Sequence, residues 1–162
     1  MPPHLQYIAV AAIVGSGVIS GLLFAFSLVV MRALRELPPE VGMAAMQRIN
    51  VLIVRPLFLL FFLGTAALCL ALLFVGSRGL PESGALLLLI GGVAYLFGPI
   101  GITLGFNVPL NNALAAARTE DASDAWPTYV SAWLRWNHVR TALGVLSTGL
   151  LSLGLALAAA GR

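Results

Sequence analysis

The chain has 162 residues, 60% of them hydrophobic and 9% charged, with a mean hydropathy of +0.99 and a formal net charge of +3. Soluble domains carry roughly 25% charged residues, so this composition excludes a soluble globular protein and points to an integral membrane protein. At about 20 residues per span, the length fits four spans in one transmembrane domain, residues 1–162, with no room for a separate soluble domain.

The first expected span is residues 5–30, "LQYIAVAAIVGSGVISGLLFAFSLVV". It must be helical, because the bilayer offers no partners for backbone groups. The preceding "MPPHLQY" has no Lys or Arg, and no small-x-small cleavage site follows, so the run is expected to be an anchor, not a cleaved signal. Gly17, Gly21 and Ala25 recur at spacing four beside Ser16 and Ser20. Such small residues let helices approach closely. Packing within the chain is the expected use, with a homo-oligomer face as the alternative.

After Pro38-Pro39, residues Val41, Ala44, Ala45, Met46 and Ile49 recur at helical spacing. They predict a short amphipathic helix lying on the cytoplasmic surface and leading into span two, residues 51–75. Arg55-Pro56 stands at the inner start of that span, either as an anchor or as an inward-facing cation. Cys69 is alone, so no disulfide forms within the chain, and packing is its expected role. "GSRGLPES" reads as a short turn into span three, residues 84–106, where Pro99 removes the hydrogen bond to the Tyr95 carbonyl and loosens the helix.

Span three ends in "FNVPLNNAL", residues 106–114, a polar cluster in an otherwise oily chain. A new helix starting here would take Asn107 as its N-cap. A continuing helix would instead put Asn107 and Asn111 on one face at i, i+4. The connection to span four is expected to break at Glu120, Asp121 and Asp124 and to resume as helix near Pro127. Span four is residues 136–160. At about 100° per residue, Tyr129, Trp133, Trp136, Asn137, Arg140 and Gly144 share one face, while Arg135 and His138 point elsewhere.

Interfacial aromatics and a snorkelling arginine account for part of that face. They do not account for Asn137 among the rings, nor for Arg140 a full turn into an apolar run, where it must find partners. Asn107, Asn111, Glu36 and Glu40 are the candidates. The expectation is a polar pocket at the cytoplasmic rim, with Arg140 as its cation, joined by Arg55 if that side chain points inward, and no fixed anion: a place for an oxyanion.

All basic residues are arginines. Arg32, Arg35, Arg48 and Arg55 flank the first connection and Arg118, Arg135 and Arg140 the third, against Arg78 in the second and Arg162 in the tail. The positive-inside rule then puts both termini outside the cytoplasm, in a bacterial inner membrane. No basic stripe with interleaved aromatics stands in a soluble region, so nucleic acid is not a partner. The acidic residues Glu36, Glu40, Glu82, Glu120, Asp121 and Asp124 all avoid the span cores, which argues against ion-coupled transport and against a di-iron site. His4 and His138 sit at opposite membrane faces, ~30 Å apart, so haem or a shared metal site is not expected and no cofactor is evident. His138 is the one imidazole on the inner side and hence a candidate general base.

Taken together, "GLLFAFSLVVMRALRELPP", "AAMQRINVLIVRPLF", "NVPLNNAL" and "WPTYVSAWLRWNHVRTALG" resemble the anthrone oxygenase-like family of small four-helix membrane proteins. Asn107, Pro109, Leu110, Asn111, Trp133, Asn137, His138 and Arg140 carry the match. The resemblance implies an oxygenase that turns an anthrone, an apolar aromatic small molecule, into an anthraquinone with O₂ and no established metal requirement. On that reading Arg140 stabilises an oxyanion, Asn107, Asn111 and Asn137 orient it, Trp133 and Trp136 sandwich the rings, Arg55 adds charge, and His138 or Tyr129 is the base. The alternative is a non-catalytic binding or scaffold protein whose polar rim docks a lipid headgroup, a small molecule or a partner. A transporter, made possible by a cavity at Gly98-Pro99, ranks third.

Overall fold

The computed structural model describes residues 1–79 and 82–160, with side chains described for 1–75 and 84–160. It is an all-helical membrane bundle; among the described residues there is no strand. The helices are α1 (Pro3–Ala25), α2 (Met31–Arg35), α3 (Pro39–Ile53), α4 (Pro56–Gly79), α5 (Glu82–Tyr95), α6 (Val108–Ala116) and α7 (Ala122–Ala160). Phe26–Val30 and Leu96–Asn107 are π-helical and join their neighbours without interruption. Among the described residues, four helices are long and apolar enough to cross a membrane: Pro3–Arg35, Pro56–Val75, Gly84–Ala116 and Thr119–Ala160.

Several boundaries differ from those read off the sequence. The first helix continues past residue 30 to Arg35, because nothing breaks it before Pro38. Residues 51–53 belong to α3, not to span two; Val54, with ψ 45°, ends α3, and Pro56 opens α4. Asn107 is not an N-cap: it is helical (φ −71°, ψ −38°), makes no capping bond, and the third span runs through it to Ala116. A π-turn is wider than an α-turn and leaves room for the rings of Pro99 and Pro109. The last helix resumes at Ala122, ahead of Pro127; Thr119–Asp121 form a 3₁₀ turn leading into it, and Asp124 lies in its first turn, where a carboxylate suits the helix dipole. The expected turn around residues 80–81 lies outside the described residues, as do the side chains of Arg78, Glu82 and Arg162.

α1 and α5 each pack against both α4 and α7, which closes the four spans on one another. Their shared core includes Ala9, Ile19, Leu23, Phe62, Cys69, Leu72, Leu88, Tyr95 and Leu151. In lipid, packing and hydrogen bonds between helices replace the hydrophobic effect as the cohesive force. The Tyr95 hydroxyl donates to the Phe62 carbonyl (3.1 Å), Ser147 Oγ to the Gly91 carbonyl (2.7 Å), and Ser16 Oγ to the Gly144 carbonyl (3.3 Å). The close approach of α1 to its neighbours is made by Gly15 against Thr65 and by Ser16 and Ser20 against Gly144. Gly21 and Ala25, expected in that role, are exposed.

A second core caps one end of the bundle. Phe26, Met31, Leu34, Met43, Met46, Leu114, Trp126, Tyr129, Val130 and Trp133 bring together α2, α3, α6 and residues 122–133 of α7. α3 forms where expected but is rotated: Gly42, Met43 and Met46 are buried, whereas Val41 and Ala44 are exposed. The cause is Gly42. A Cβ there would lie 2.6 Å from the Leu34 carbonyl oxygen and 2.9 Å from Trp126 Nε1, so only glycine admits this contact. On α7, Tyr129, Trp133, Asn137, Arg140 and Gly144 are buried, and Arg135 and His138 are exposed.

Candidate functional site

Where the span core meets the cap there is a cavity of about 310 Å³. That volume is at the small end of ligand pockets, which run from ~300 to ~1,000 Å³. Its walls are largely apolar, with Leu23 and Phe26 from the first helix, Met46 from α3, Phe58 and Phe62 from α4, and Trp133 from α7. Four polar side chains line it: Asn50, Thr103, Asn111 and Arg140.

Arg140 is 7% exposed. Its Nε donates to Asn137 Oδ1 (2.9 Å) and its Nη1 to Thr103 Oγ1 (2.8 Å), and its Cζ lies 5.1 Å from the centre of the Trp133 ring. Among the described residues no carboxylate stands within ion-pair distance; the one salt bridge is the exposed Arg118–Glu120 pair at 2.7 Å. Glu36 and Glu40 are exposed and do not supply a counterion. Asn137 takes the place that the sequence offered to them, because it stands one turn earlier on the same helix face. Stripping water from a guanidinium costs several kcal/mol, which two neutral acceptors and a ring face offset only in part. A guanidinium carries five N–H donors. Two are used, and the side chain lines the cavity.

The asparagines hold this arrangement. Asn137, fully buried, donates from Nδ2 to the Leu23 carbonyl (2.9 Å) and to Ser27 Oγ (2.7 Å), leaving Oδ1 for Arg140. Asn111 Oδ1 accepts from the Tyr129 hydroxyl (2.9 Å) and from Trp133 Nε1 (3.0 Å). Both aromatic side chains are thereby oriented by one amide. Asn107 lies behind the wall, donating from Nδ2 to the Trp133 carbonyl (3.3 Å), and its buried Oδ1 has no hydrogen-bond partner. Asn50 Nδ2 is likewise buried without a partner, and Asn50 lines the cavity. The cavity is therefore lined by Asn50 and by Arg140, and a guanidinium with N–H donors to spare suits an anionic oxygen.

The structure thus places Arg140, Asn111 and Trp133 at the cavity, with Asn107, Asn137 and Tyr129 supporting them from behind. Three other candidates are not brought to it. Trp136, half-buried, stacks on Phe106 of the third span (centroids 3.6 Å apart, planes at 15°) and does not line the cavity. Arg55 is exposed in the break between α3 and α4. His138 is exposed on the neighbouring helix face, with Nδ1 3.0 Å from Ser27 Oγ. Ser27 thereby links His138 to Asn137 and, through it, to Arg140. Because Ser27 Oγ already accepts from Asn137, its hydroxyl hydrogen is available to the imidazole.

Asn50, Thr103 and Ser27 were not among the site residues expected from the sequence. A signal existed for two of them. Asn50 follows Met43 by seven and Met46 by four residues, on the buried face of an amphipathic helix. Ser27 follows Ser16 and Ser20 by eleven and seven, which keeps it near the same face at about 100° per residue. Thr103 lies in a π-helical stretch, where α-helical angles do not apply. Among the described residues no group of three or more His, Cys, Asp or Glu side chains could hold a metal ion.

The family model described as anthrone oxygenase matches residues 57–150. That range holds Thr103, Asn107, Asn111, Tyr129, Trp133, Asn137, His138 and Arg140, and leaves Ser27 and Asn50 outside. No curated protein and no solved structure matches the chain.

Proposed function

The chain belongs to the anthrone oxygenase family, and from this premise we propose that it is a membrane-embedded oxygenase that receives an apolar, anthrone-type aromatic in the cavity beside Arg140. In the reaction the ring methylene becomes a carbonyl: one oxygen atom of O₂ enters the product, and the other leaves as water with the two methylene hydrogens. An anthrone is an acidic carbon compound whose enol tautomer ionises to an electron-rich aromatic oxyanion, and that anion reduces O₂ directly. The protein's task is then to bind and orient the anion in a dry, flat site. Arg140 and Asn50 hold the oxyanion, Trp133 and Phe26 form walls for the rings, and Asn137, Thr103 and Asn111 position Arg140 and Trp133. No cofactor is required by this scheme.

One observation carries the proposal. Arg140 is a buried cation that lines an apolar cavity, with no carboxylate in reach among the described residues. Such a group is completed by an anionic ligand. Access is from the bilayer: Leu63 of α4 and Leu104 and Val108 of the third span line the cavity and are themselves exposed. The arginine distribution supports an inner-membrane orientation with the cavity toward the cytoplasm and both termini outside.

A second reading, a non-catalytic binding protein for such an anion, is favoured by the fact that neither an imidazole nor a carboxylate lines the cavity. Oxygen uptake together with quinone absorbance separates the two. Detergent-purified protein given an anthrone is expected to exceed spontaneous oxidation, and the Arg140→Ala protein is expected not to. Equal rates for both proteins and the blank would remove anthrone oxidation and leave the binding reading.

A further inference from the structure

A second concavity, sharing no lining residue with the cavity, lies between the end of the first helix and residues 126–138 of α7. Its volume is about 630 Å³. We propose that it binds the phosphodiester headgroup of an anionic glycerophospholipid.

Three features point there. Cations from two separate elements meet at the cleft, Arg35 from α2 and Arg135 from α7, with His138 beside them. No carboxylate lines it, and among the described residues neither arginine takes part in an ion pair. Glu36, the nearest acidic residue in sequence, lines an adjoining notch that shares Arg35 with the cleft. The floor, formed by Trp126, Val130 and Leu134, is apolar. A free phosphate would satisfy the cations and leave this floor wet, whereas a lipid places glycerol and the start of an acyl chain on it. The position agrees as well. The cleft is at the level where α7 passes from its polar first turns into its apolar run, the height at which arginine side chains reach headgroups.

The test is native mass spectrometry of the full-length, delipidated protein in detergent, titrated with dioctanoyl phosphatidylglycerol, dioctanoyl phosphatidylcholine or glycerol phosphate. Phosphatidylglycerol is expected to bind one to one and more tightly than phosphatidylcholine, and glycerol phosphate is expected not to displace it at equal concentration. Arg35→Gln and Arg135→Gln should each weaken it about fivefold. Arg118→Gln, off the cleft and paired with Glu120, should leave it unchanged. Both cleft arginines are exposed, so unaltered melting temperatures would certify folded variants. Equal binding of the two lipids, displacement by glycerol phosphate, or full binding by the Arg35→Gln/Arg135→Gln double variant would each overturn the proposal.

Discussion

Asn137 Oδ1 accepts the Nε hydrogen of Arg140 at 2.9 Å, one turn back on α7, and this bond holds the guanidinium beside Trp133. The same amide ties α7 to the first helix through the Leu23 carbonyl and Ser27. One side chain therefore serves both the bundle and the charge. Asn137→Ala is expected to cost ~1–3 kcal/mol of stability by leaving buried groups unpartnered, seen as a lower melting temperature in detergent. Asn137→Asp gives Arg140 a fixed counterion. It should preserve helix content yet abolish turnover and binding of an aromatic oxyanion, as followed by calorimetric titration.

Charge alone does not reproduce what Arg140 does. Its Nε and Nη1 bond two different helical segments, and further N–H donors remain. A lysine at this position keeps the charge but has no fork to hold both partners. Arg140→Lys is expected to lower turnover by ~10²-fold or more, within the range for loss of one oxyanion donor. A rate within threefold of the parent would show that a point charge suffices.

The placement of His138 leads to an ordering of variants. It is exposed and outside the cavity, touching Ser27, and Ser27 in turn touches Asn137. His138→Ala should reduce turnover only a few-fold. Ser27→Ala, which removes an acceptor from the amide that orients Arg140, should reduce it more. Steady-state rates for the two, measured side by side, check this: a larger loss in His138→Ala would make the imidazole the base after all.

Gly42 makes a separate claim about the cap. Its Cα faces the Leu34 carbonyl and the Trp126 ring, so Gly42→Ala forces backbone apart. A loss of ~1–3 kcal/mol is expected, measurable as a lower melting temperature. An unchanged melting temperature would mean that α3 is not seated as described.

How much of this could be read from residues alone depended on whether a rule of local geometry held. The four spans were legible because length and hydropathy decide them, and the buried face of α7 was legible because that helix keeps a regular repeat from Tyr129 to Gly144. The continuity of the third span through Asn107 was one of two readings left open, since Pro109 mimics a helix start and the π-helical stretch before it is what accommodates the ring. The rotation of α3 was not legible, because it is decided by Trp126, some eighty residues away along the chain. The candidate site was half legible for the same reason. Residues on one regular helix could be grouped, but Thr103, Ser27 and Asn50, which arrive from other helices, could not.

The π-helical stretches also have a bearing on how the chain tolerates change in length. Each π-turn holds roughly one residue more than an α-turn, so the helix beyond it is rotated by about 100° relative to an unbroken α-helix. Met31 and Leu34 reach the cap only after the turn at Phe26–Val30. Deleting a single residue from that turn would give a straighter, more regular helix and swing both side chains off the cap. The local irregularity thus works as a phase shifter, letting one continuous rod present one side to the membrane bundle and a different side to the lid over the cavity.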